Sequence, residues 1–504
     1  MTARDQEAVD VLEPVDAIDP VDGLDTRHRE ADAARTSAAA SALYRSRYTL
    51  AESWGDGRGI LLNSFTGAVD IVSERVARYV KESRQADLDP SDPLYATLVD
   101  RGYYVESREI EDACARLWAR KSKEEAVAYE HAKYMFGLTL KCNLTCKYCW
   151  QVIEHGNARQ KTNLMSVEVV DAAFRFIDRD MRERGKKGAT VSLFGGEPLI
   201  DKPQFHALVQ AIGERTRERG FQLHFTSNGR ELGAFKAEVA RYAPSIQVTV
   251  DGAEFPEAGP LLTRAGQKLH GLFDVLADVA QMRSGGIFLR FLVNTGTVES
   301  FVRLADRIFS DPRFAHGFTL AVAPLQNKTG EIDDGIPPKF RVLSALMEAL
   351  KDRPYAPRIS YIDWRSLFLF NGLRAGEEML PMPVFYHCEA NVDLTCFDQD
   401  GLIYTCYETI GDPKFSVGRF WPEISVDEAH LAQYRGRSAF SMPQCSECAV
   451  SPICGGGCEV RGHKKSGAYM NPFCDDLHAE TSLVLRNWGA IARMLTGRSH
   501  VPDA

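Results

Sequence analysis

The stretch Cys142-Asn-Leu-Thr-Cys146-Lys-Tyr-Cys149 follows directly after the apolar run Tyr134–Leu140. Its three cysteines have the spacing C-x3-C-x2-C and lie on a loop that leaves a predicted strand. Thiolates at this spacing bind iron–sulfur clusters or zinc. Three ligands rather than four leave one metal position open, which favours a catalytic site over a closed structural one.

The composition predicts a globular protein of several domains. The chain has 504 residues, of which 44% are hydrophobic and 26% charged. No apolar run reaches the roughly 18 residues that span a membrane, and the acidic N-terminus has no signal segment. We therefore expect a cytoplasmic protein with no membrane partner, whose 12 cysteines are metal ligands rather than disulfides. Ten acidic residues and four arginines in residues 1–40 account for −6 of the net charge of −9. The nearly neutral remainder predicts no nucleic-acid partner.

The N-terminal part predicts a tail and a small module. Residues 1–42 are rich in Ala and Asp and contain no aromatic residue, so we expect a disordered acidic tail. Residues 43–125 predict a winged-helix-like α+β module. Its short β-type runs and helices are Tyr48–Glu52, Gly59–Asn63, Ala68–Val72, Glu74–Glu82 (helix), Pro93–Arg101 (helix) and Tyr103–Val105. Such a module is either a cap on the next domain or a docking site that takes an extended peptide as an added strand.

Residues 131–330 alternate between strand-type and helix-type patterns. The strand-type runs are Tyr134–Leu140, Thr190–Phe194, Gln222–Thr226, Ile246–Val250, Phe288–Val293 and Phe318–Ala323. Val170, Phe174 and Ile177 show helical spacing between the first two runs, with Ser166 as the N-cap. Six such units predict an α/β fold with a partial (β/α)6 barrel of the TIM type, whose active face lies at the carboxyl ends of the strands.

Polar or glycine-rich segments follow the next four strands. They are Phe194-Gly-Gly-Glu-Pro198, Thr226-Ser-Asn-Gly229, Thr249-Val-Asp-Gly252 and Val293-Asn-Thr295. Glycines let a backbone approach a ligand closely, and a carboxylate can pair with a ligand amine. Each segment alone is compatible with a simple turn. Four of them at one barrel rim favour a binding site.

The cysteine spacing with Tyr148 and the Gly-Gly-Glu-Pro segment resemble the radical S-adenosylmethionine (SAM) enzymes over roughly residues 131–325. The resemblance implies a [4Fe–4S] cluster on Cys142, Cys146 and Cys149, with SAM bound at the open iron. It further implies that Tyr148 lies against the adenine and that Gly195, Gly196 and Glu197 hold the methionyl amine. Other implied SAM contacts are Arg264, for the carboxylate, and Ser227, Asn228 and Thr249.

Eight more cysteines lie between residues 388 and 474, after a predicted helical bridge over 331–387. Cys396 and Cys406 flank a turn between two β-type runs, so a hairpin can bring them together. Eight thiolates divide into two four-cysteine sites, which on spacing alone are compatible with structural zinc. We expect the cysteine region to end near residue 480, with a C-terminal helix and tail over 481–504.

This region resembles the SPASM extension of radical SAM proteins, which implies two auxiliary [4Fe–4S] clusters. One implied ligand set is Cys388, Cys396, Cys406 and Cys458. The other is Cys445, Cys448, Cys454 and Cys474. In total, the resemblance implies three [4Fe–4S] clusters and SAM as cofactors. It also implies an electron donor such as flavodoxin or ferredoxin.

Enzymes with this extension mostly modify peptides. One class matures ribosomally made peptides, forming thioether, C–C or C–O cross-links or inverting a stereocentre, and binds the leader segment of the precursor through a winged-helix-like domain. The other makes formylglycine in sulfatases and has an aspartate directly after the cysteine that here is Cys406. Tyr407 takes that place, followed by Glu408, and either is a candidate acid/base group. The sequence therefore favours a cross-linking peptide maturase. A non-catalytic, zinc-stabilised peptide-binding scaffold stays open as the alternative of a different class.

Overall fold

The computed structural model describes residues 43–86, 93–146, 148–253, 261–262, 268–269, 271–282, 285–326, 336–370 and 383–497. The predicted acidic tail and Arg264 lie outside the described residues. No helix in these ranges is long and apolar enough to cross a bilayer.

The N-terminal module has a three-stranded antiparallel sheet in the order β2-β3-β4, a second small sheet in the order β5-β1-β6, and three helices. Its strands are β1 (Leu43–Arg45), β2 (Thr49–Ser53), β3 (Arg58–Asn63), β4 (Val69–Ser73), β5 (Gln85–Ala86) and β6 (Tyr104–Val105). Its helices are α1 (Glu74–Glu82), α2 (Pro93–Asp100) and α3 (Arg108–Ala128). Helix α3 continues past the predicted boundary at residue 125. The winged-helix-like assignment stays a prediction.

The central part is a parallel sheet with helices between its strands, which confirms the predicted α/β fold. Its strands are β7 (His131–Gly137), β8 (Gly188–Phe194), β9 (Gln222–Ser227), β10 (Ser245–Val250), β11 (Gly252–Ala253), β12 (Leu261–Leu262), β13 (Lys268–Leu269), β14 (Ile287–Val293), β15 (Phe318–Pro324) and β16 (Ser360–Tyr361). Its helices are α4 (Trp150–His155), α5 (Val167–Arg184), α6 (Pro203–Glu218), α7 (Lys236–Tyr242), α8 (Leu272–Ala280), α9 (Val298–Ser310) and α10 (Lys339–Leu350).

The six predicted strands pair in parallel in the order β7-β8-β9-β10-β14-β15, and β16 pairs in parallel with β15. The first strand ends at Gly137 rather than at Leu140, because the next residues turn to meet the end of β8. The amide of Gly196 donates to Thr139 O at 2.7 Å and that of Glu197 donates to Lys141 O at 2.9 Å. The cysteine loop is thus joined to the Gly-Gly-Glu-Pro segment.

Alternation along the strands separates a helix side from an inner side. Phe136 packs against Phe174 of α5, and Phe291 packs against Phe301 of α9. Residues one position away therefore take the inner side of the sheet. Ser166 caps α5 as predicted, since its Oγ accepts from the amide of Val169 at 3.2 Å.

The C-terminal part extends the barrel sheet. Its strands are β17 (Leu394–Asp398), β18 (Leu402–Tyr404), β19 (Gly418–Arg419) and β20 (Ser425–Val426). Its helices are α11 (Glu428–Arg435), α12 (Pro443–Ser446), α13 (Ser451–Cys454), α14 (Glu459–Ser466), α15 (Leu477–Arg486) and α16 (Trp488–Thr496). Strand β17 pairs in parallel with β7 and antiparallel with β18, so the predicted hairpin is present and lies at the barrel edge.

The N-terminal module is fixed to the C-terminal part by polar contacts. Ser64 Oγ donates to Ala449 O at 2.5 Å, and Trp54 Nε1 donates to Leu485 O at 2.9 Å. Arg47 Nη1 donates to Ser446 O at 3.0 Å and forms an ion pair with Glu447 at 2.9 Å. The module therefore contacts the loop that carries Cys445 and Cys448.

Candidate functional site

The loop after β7 brings three predicted ligands together, and we call this the barrel-mouth site (Cys142, Cys146 and Cys149). Burial raises the pKa of Cys146 to about 12, and the charges of Asp251, Cys142 and Cys149 add to the shift. The Sγ of Cys142 accepts from Leu144 N at 3.4 Å and from Asn228 Nδ2 at 3.7 Å. The three thiols are therefore neighbours at the carboxyl end of the barrel.

Tyr148 lies on the barrel side of this loop. Burial raises its pKa well above the usual value, and the charge of Asp251 and a side-chain hydrogen bond to Asp251 raise it further. Asp251 directly follows β10. The sequence pattern at this strand end did not by itself indicate a role for Asp251. Its position at a strand end beside the cysteine loop was the available signal.

The two glycines of the Gly-Gly-Glu-Pro segment allow the backbones of this segment and of the cysteine loop to lie in close contact. Gly195 has φ +136°, and a Cβ there would lie 2.3 Å from Thr139 O. A Cβ on Gly196 would lie 2.0 Å from Lys141 O. Any side chain at either position would push the two loops apart. Contact between these glycines and SAM stays a prediction. The close approach of the two loop backbones, which requires glycine at both positions, is seen in the structure.

Glu197 is 1% exposed and joins the segments that end β8 and β9 in one network. Its carboxylate accepts from Ser227 Oγ at 2.8 Å, from Asn228 N at 2.7 Å and from Leu199 N at 2.9 Å. Burial raises its pKa to about 7, and these hydrogen bonds oppose the rise. The structure thus unites Glu197, Ser227 and Asn228, which were predicted separately.

Asn143 is a site residue that sequence analysis missed. Asn228 Nδ2 donates to Asn143 Oδ1 at 2.8 Å, and Arg230 Nη1 donates to Asn143 O at 2.8 Å. The cysteine loop is therefore held against the end of β9 as well. Thr249 pairs in register with Arg290 on the inner side of the sheet, close to the same rim. Its contact with SAM stays a prediction.

Three of the four cysteines predicted for the first auxiliary cluster meet in what we call the inner site (Cys388, Cys406 and Cys458). Burial raises the pKa of Cys406 well above its usual value, and the charges of Glu408, Glu459, Cys458 and Cys388 add to it. Burial also raises the pKa of Cys388 and of Cys458, and in both cases Glu459 is the next cause. Two buried carboxylates, Glu408 and Glu459, act on these thiols.

Cys396 departs from the predicted set. It lies within β17, fully buried, and pairs in register with Met135 and Tyr404. Burial and the charge of Glu389 raise its pKa, and no other thiol of the described residues acts on it. The prediction that it joins Cys388, Cys406 and Cys458 is therefore not supported by its surroundings, because the strand register holds it in the sheet.

The four cysteines predicted for the second auxiliary cluster come together, and we call them the outer site (Cys445, Cys448, Cys454 and Cys474). Burial raises the pKa of Cys445 to about 12, followed by the charges of Cys454, Cys448 and Cys474. Cys474 is exposed, unlike the other three. His478 Nε2 lies 3.1 Å from Cys448 Sγ.

The side chains of Tyr407 and Glu408 lie in different surroundings. The ring of Tyr407 packs against Phe194, at the end of β8, with centroids 5.4 Å apart and an angle of 66°. The charges of Arg290 and Asp363 also act on its pKa, which burial raises. Arg290 lies on the inner side of the barrel, so Tyr407 lies over the barrel mouth.

Glu408 faces the inner site instead. It is buried, and its Oε1 lies 3.9 Å from Arg461 Nη2. Its charge raises the pKa of the Cys406 thiol. The two candidate acid/base side chains therefore lie in different places. Tyr407 lies toward the barrel mouth, and Glu408 lies toward the cysteines of the inner site.

The donor sets at these sites are thiols, with the carboxylates of Glu408 and Glu459 beside those of the inner site. Within the described ranges, no group of three or more His, Cys, Asp and Glu side chains converges closely enough to chelate a single metal ion. Thiolates arranged around a shared space are the ligands of iron–sulfur clusters. The cysteine chemistry and the close joining of the cysteine loop to the Gly-Gly-Glu-Pro loop fit a cluster at the barrel mouth.

Comparisons with known proteins agree with this site. Residues 134–259 match the family model of a 4Fe-4S single cluster domain. Over 306 residues the chain is 26% identical to the GTP 3′,8-cyclase of Brucella melitensis biotype 2, covering 59% of this chain and 81% of that protein. Over 313 residues it is 27% identical to the Sinorhizobium medicae protein of the same name, covering 59% and 80%.

Two solved structures share the fold. Streptococcus suis SuiB bound to the precursor peptide SuiA has a TM-score of 0.51 at 14% identity, covering 86% of this chain and 99% of that one. Native anSMEcpe with bound AdoMet and the Kp18Cys peptide has a TM-score of 0.52 at 14% identity, covering 73% and 99%. The likeness to SuiB extends over more of this chain than the barrel alone.

Proposed function

We propose that this chain, a radical SAM enzyme, modifies a ribosomally made precursor peptide by removing a hydrogen atom from one of its residues. The expected product is an intramolecular cross-link of the thioether, C–C or C–O type. The proposal draws on two solved relatives by fold that were crystallised with peptides. It also draws on the arrangement of the N-terminal module and the cysteine region around the barrel mouth.

The observation that carries the proposal is an edge of the N-terminal sheet that is paired with no further strand in the described residues, with Arg101 Nη2 donating to Val69 O of β4 at 3.1 Å. Strand β4 lies at one end of the order β2-β3-β4, whereas β2 lies next to the C-terminal helix α15. Glu52 at the end of β2 accepts from Ser482 Oγ of α15 at 2.5 Å. Among the described residues no strand pairs with the outer side of β4. An extended leader segment fits there as a fourth strand, with main-chain hydrogen bonds providing affinity.

The barrel mouth supplies the chemistry. Cys142, Cys146 and Cys149 would hold the cluster, and Glu197 with its neighbours would receive the methionyl group of SAM. When bound, the cluster and SAM provide a 5′-deoxyadenosyl radical. The inner and outer sites would hold two further clusters. A flavodoxin or ferredoxin is the expected class of electron donor.

Tyr407 is the chain's own residue best placed to meet the peptide. It lies between the barrel mouth, through Phe194, and the inner site, through its neighbour Cys406. A phenol whose pKa is raised by burial stays protonated at neutral pH and can donate a hydrogen bond to a substrate carbonyl or accept one from an amide. We therefore propose that Tyr407 positions the substrate segment. Glu408 instead acts on the thiols of the inner site.

Co-expression with a candidate precursor peptide, such as one encoded by a small open reading frame found beside the gene, tests the proposal. The intact mass of the peptide should fall by two hydrogens, and the Cys142→Ala variant should leave it unchanged. Loss of sulfur with gain of oxygen at a cysteine would instead indicate formylglycine formation. Consumption of GTP without any change in the peptide would indicate the activity for which the curated relatives are named. A colourless protein containing zinc would indicate the non-catalytic scaffold.

A further inference from the structure

An ion pair between Arg290 and Asp363 lies on the inner side of the barrel. Arg290 belongs to β14, and its Nη2 donates to Asp363 Oδ2. Ala321 of β15 is in register with Arg290. Because the side chain of Ala321 is short, the guanidinium can pass over that strand and reach Asp363, which follows β16. The pair therefore spans three neighbouring strands.

The chain on both sides holds Asp363 in one conformation. The amide of Ile362 donates to Val322 O at 3.0 Å, which extends the pairing of β16 with β15. Trp364 is fully buried, and its Nε1 donates to Lys339 O at 3.2 Å. Asp363 between them has φ +68°, a left-handed conformation that other residues than glycine keep where the surrounding structure enforces it. Such residues cluster at ligand-binding sites.

A ligand inside the barrel can reach the ion pair. Helix α9 covers one face of β14, since Phe301 packs against Phe291. Arg290 takes the opposite face, yet 22% of its side chain and 35% of that of Asp363 stay accessible. The accessible part therefore opens into the barrel. A guanidinium carries five N–H donors and a carboxylate accepts several hydrogen bonds, so the ion pair leaves capacity for a ligand.

Tyr407 lies over the same part of the barrel. Its ring packs against Phe194 at the end of β8. Besides burial and Glu408, the charges of Arg290 and Asp363 act on the pKa of Tyr407, so both groups lie near its hydroxyl. The tyrosine that we propose to position the substrate and the ion pair therefore face one space.

This space extends from the ion pair to the cysteine loop. Arg290 is in register with Thr249 of β10, and β10 pairs with β9 on its other side. Strand β9 leads into Asn228, whose Nδ2 donates to Cys142 Sγ at 3.7 Å. Neighbouring strands lie about 4.8 Å apart, so two such spacings put about 10 Å between β14 and the strand that ends beside this loop. That span leaves room for one extended peptide segment.

The chemistry of the pair suits a main-chain group. Its two charges balance, so an additional anion would be attracted by Arg290 and repelled by Asp363. A peptide offers each residue's carbonyl as an acceptor and its N–H as a donor. In an extended segment the two groups of one residue point to the same side. A guanidinium next to a carboxylate complements both at once.

We propose that Arg290 and Asp363 bind the main chain of the substrate peptide, the guanidinium donating to the carbonyl of one residue and the carboxylate accepting from its amide. Together with Tyr407 the pair would hold the segment that faces the barrel-mouth site. This inference rests on the proposed function, since it assumes a peptide substrate. A main-chain contact fixes the position of the segment without requiring a particular side chain.

The test supplies the full-length enzyme with SAM, a reductant and a candidate precursor peptide deuterated throughout. Arg290→Gln and Asp363→Asn should both still cleave SAM. In each, the fraction of 5′-deoxyadenosine that carries deuterium and the yield of modified peptide should fall by about tenfold or more, because the segment is no longer held in place. The double variant should lose little more than either single one, since the two residues act as a unit.

A conservative variant and a matched control separate binding from folding. Arg290→Lys keeps the ion pair but lacks the planar fork of donors, so it should also lose deuterium transfer. Arg353→Gln removes an arginine that pairs with Asp306 outside the barrel interior and should behave as the unchanged enzyme. Thermal unfolding and binding of the leader segment alone, measured by fluorescence anisotropy, should be the same in Arg290→Lys and Arg353→Gln as in the unchanged enzyme.

The outcomes distinguish this inference from the proposed function. Normal deuterium transfer and peptide modification in Arg290→Gln would overturn the inference and leave the proposed function standing. An unchanged enzyme that transfers no deuterium and modifies no peptide would overturn the proposed function instead. Replacing the acidic residues of the peptide by Asn and Gln should leave transfer unchanged. A loss as large as that of Arg290→Gln would identify a side-chain carboxylate as the ligand and overturn the main-chain assignment.

Discussion

The inner site and the outer site take their cysteines from the same C-terminal region, yet they are assembled in different ways. Three of the four outer cysteines lie within ten residues of one another, from Cys445 to Cys454, and all four predicted thiols meet. The inner site joins residues from the end of the bridge, the hairpin and α14. Only three of its four predicted thiols meet, beside Glu408 and Glu459. Close sequence spacing thus predicts which thiols lie near one another, whereas strand register affects a set drawn from distant parts of the chain.

The two sites also differ in their surroundings. Cys406 is buried, and Tyr407, its neighbour, reaches Phe194 at the barrel mouth. Cys474 is exposed, and the loop of Cys445 and Cys448 meets the N-terminal module through Arg47 and Ser64. The inner site therefore adjoins the place of chemistry, and the outer site adjoins the module that we propose to bind the leader segment.

Replacing one cysteine at each site should give the largest effect. Cys406→Ala and Cys448→Ala should each lose up to about four of about twelve irons, and each should keep the other site's cluster. Cys406→Ala should also lower peptide modification by about a hundredfold or more, because Tyr407 is no longer held over the barrel mouth.

Iron analysis and peptide mass spectrometry measure both outcomes. Formation of 5′-deoxyadenosine without peptide is the control and should persist in both variants, since the barrel-mouth cysteines are unchanged. Loss of iron from both auxiliary sites in either single variant would contradict their independence.

Arg437 joins the two sites, and its replacement should weaken both. It is fully buried and donates to Gly456 and Gly457, before Cys458, and to Tyr469 and Asn471, before Cys474. Arg437→Met removes these donors and should lower the free energy of unfolding by about 3 kcal/mol or more. Anaerobic denaturant titration measures the change. Arg435→Met, two residues earlier, is the matched control, and an equal loss in both variants would argue against a joining role for Arg437.

Solvent access should separate the sites kinetically. Because Cys474 is exposed while Cys406 is buried, a chelator should remove iron from the outer site first, faster by about tenfold or more. The Cys448→Ala and Cys406→Ala variants, each retaining one auxiliary cluster, allow the two rates to be measured one at a time by the decay of visible absorbance. Equal rates would show that exposure of a single cysteine does not control access.

Lowering the pH should decrease the stability of the barrel, whose sheet continues into the hairpin before the inner site. Burial lowers the pKa of His224 to about 4, and its Nδ1 lies 2.8 Å from Ser245 Oγ. Below the ordinary value near 6.5 the unfolded chain takes up a proton that folded His224 does not. Stability is therefore lost as pH falls from about 6.5 to about 4, by at most about 3 kcal/mol. His224→Gln should remove this part of the pH dependence in denaturant titrations, and an unchanged pH profile would contradict it.

Sequence patterns predicted the barrel well because its strands are short β-type runs bounded by turns and separated by helical spacing. The six strand positions, the Ser166 cap and the hairpin at residues 394–404 followed from residue patterns and turn residues. The two-residue strands β5 and β6 are too short to show a period, and only β6 was expected. Domain boundaries and the identity of the N-terminal module stay predictions.

The sequence predicted those site residues that belong to a recognisable motif or end a strand. Ser227 and Asn228 were found because they end a strand, although the structure gives them Glu197 as a partner. Asn143 and Glu459 were missed because each follows a cysteine and has no pattern of its own. The ligand role of Cys396 at the inner site stays a prediction, because spacing along the chain does not reveal which face of a strand a side chain takes.

The central claim is that the barrel mouth removes a hydrogen atom from a peptide. Its most direct test supplies the enzyme with SAM, a reductant and a precursor peptide deuterated throughout. Deuterium should appear in the 5′-deoxyadenosine that is released, and the Cys142→Ala variant should release none. Formation of 5′-deoxyadenosine without deuterium, while the peptide is modified, would contradict hydrogen abstraction from the peptide.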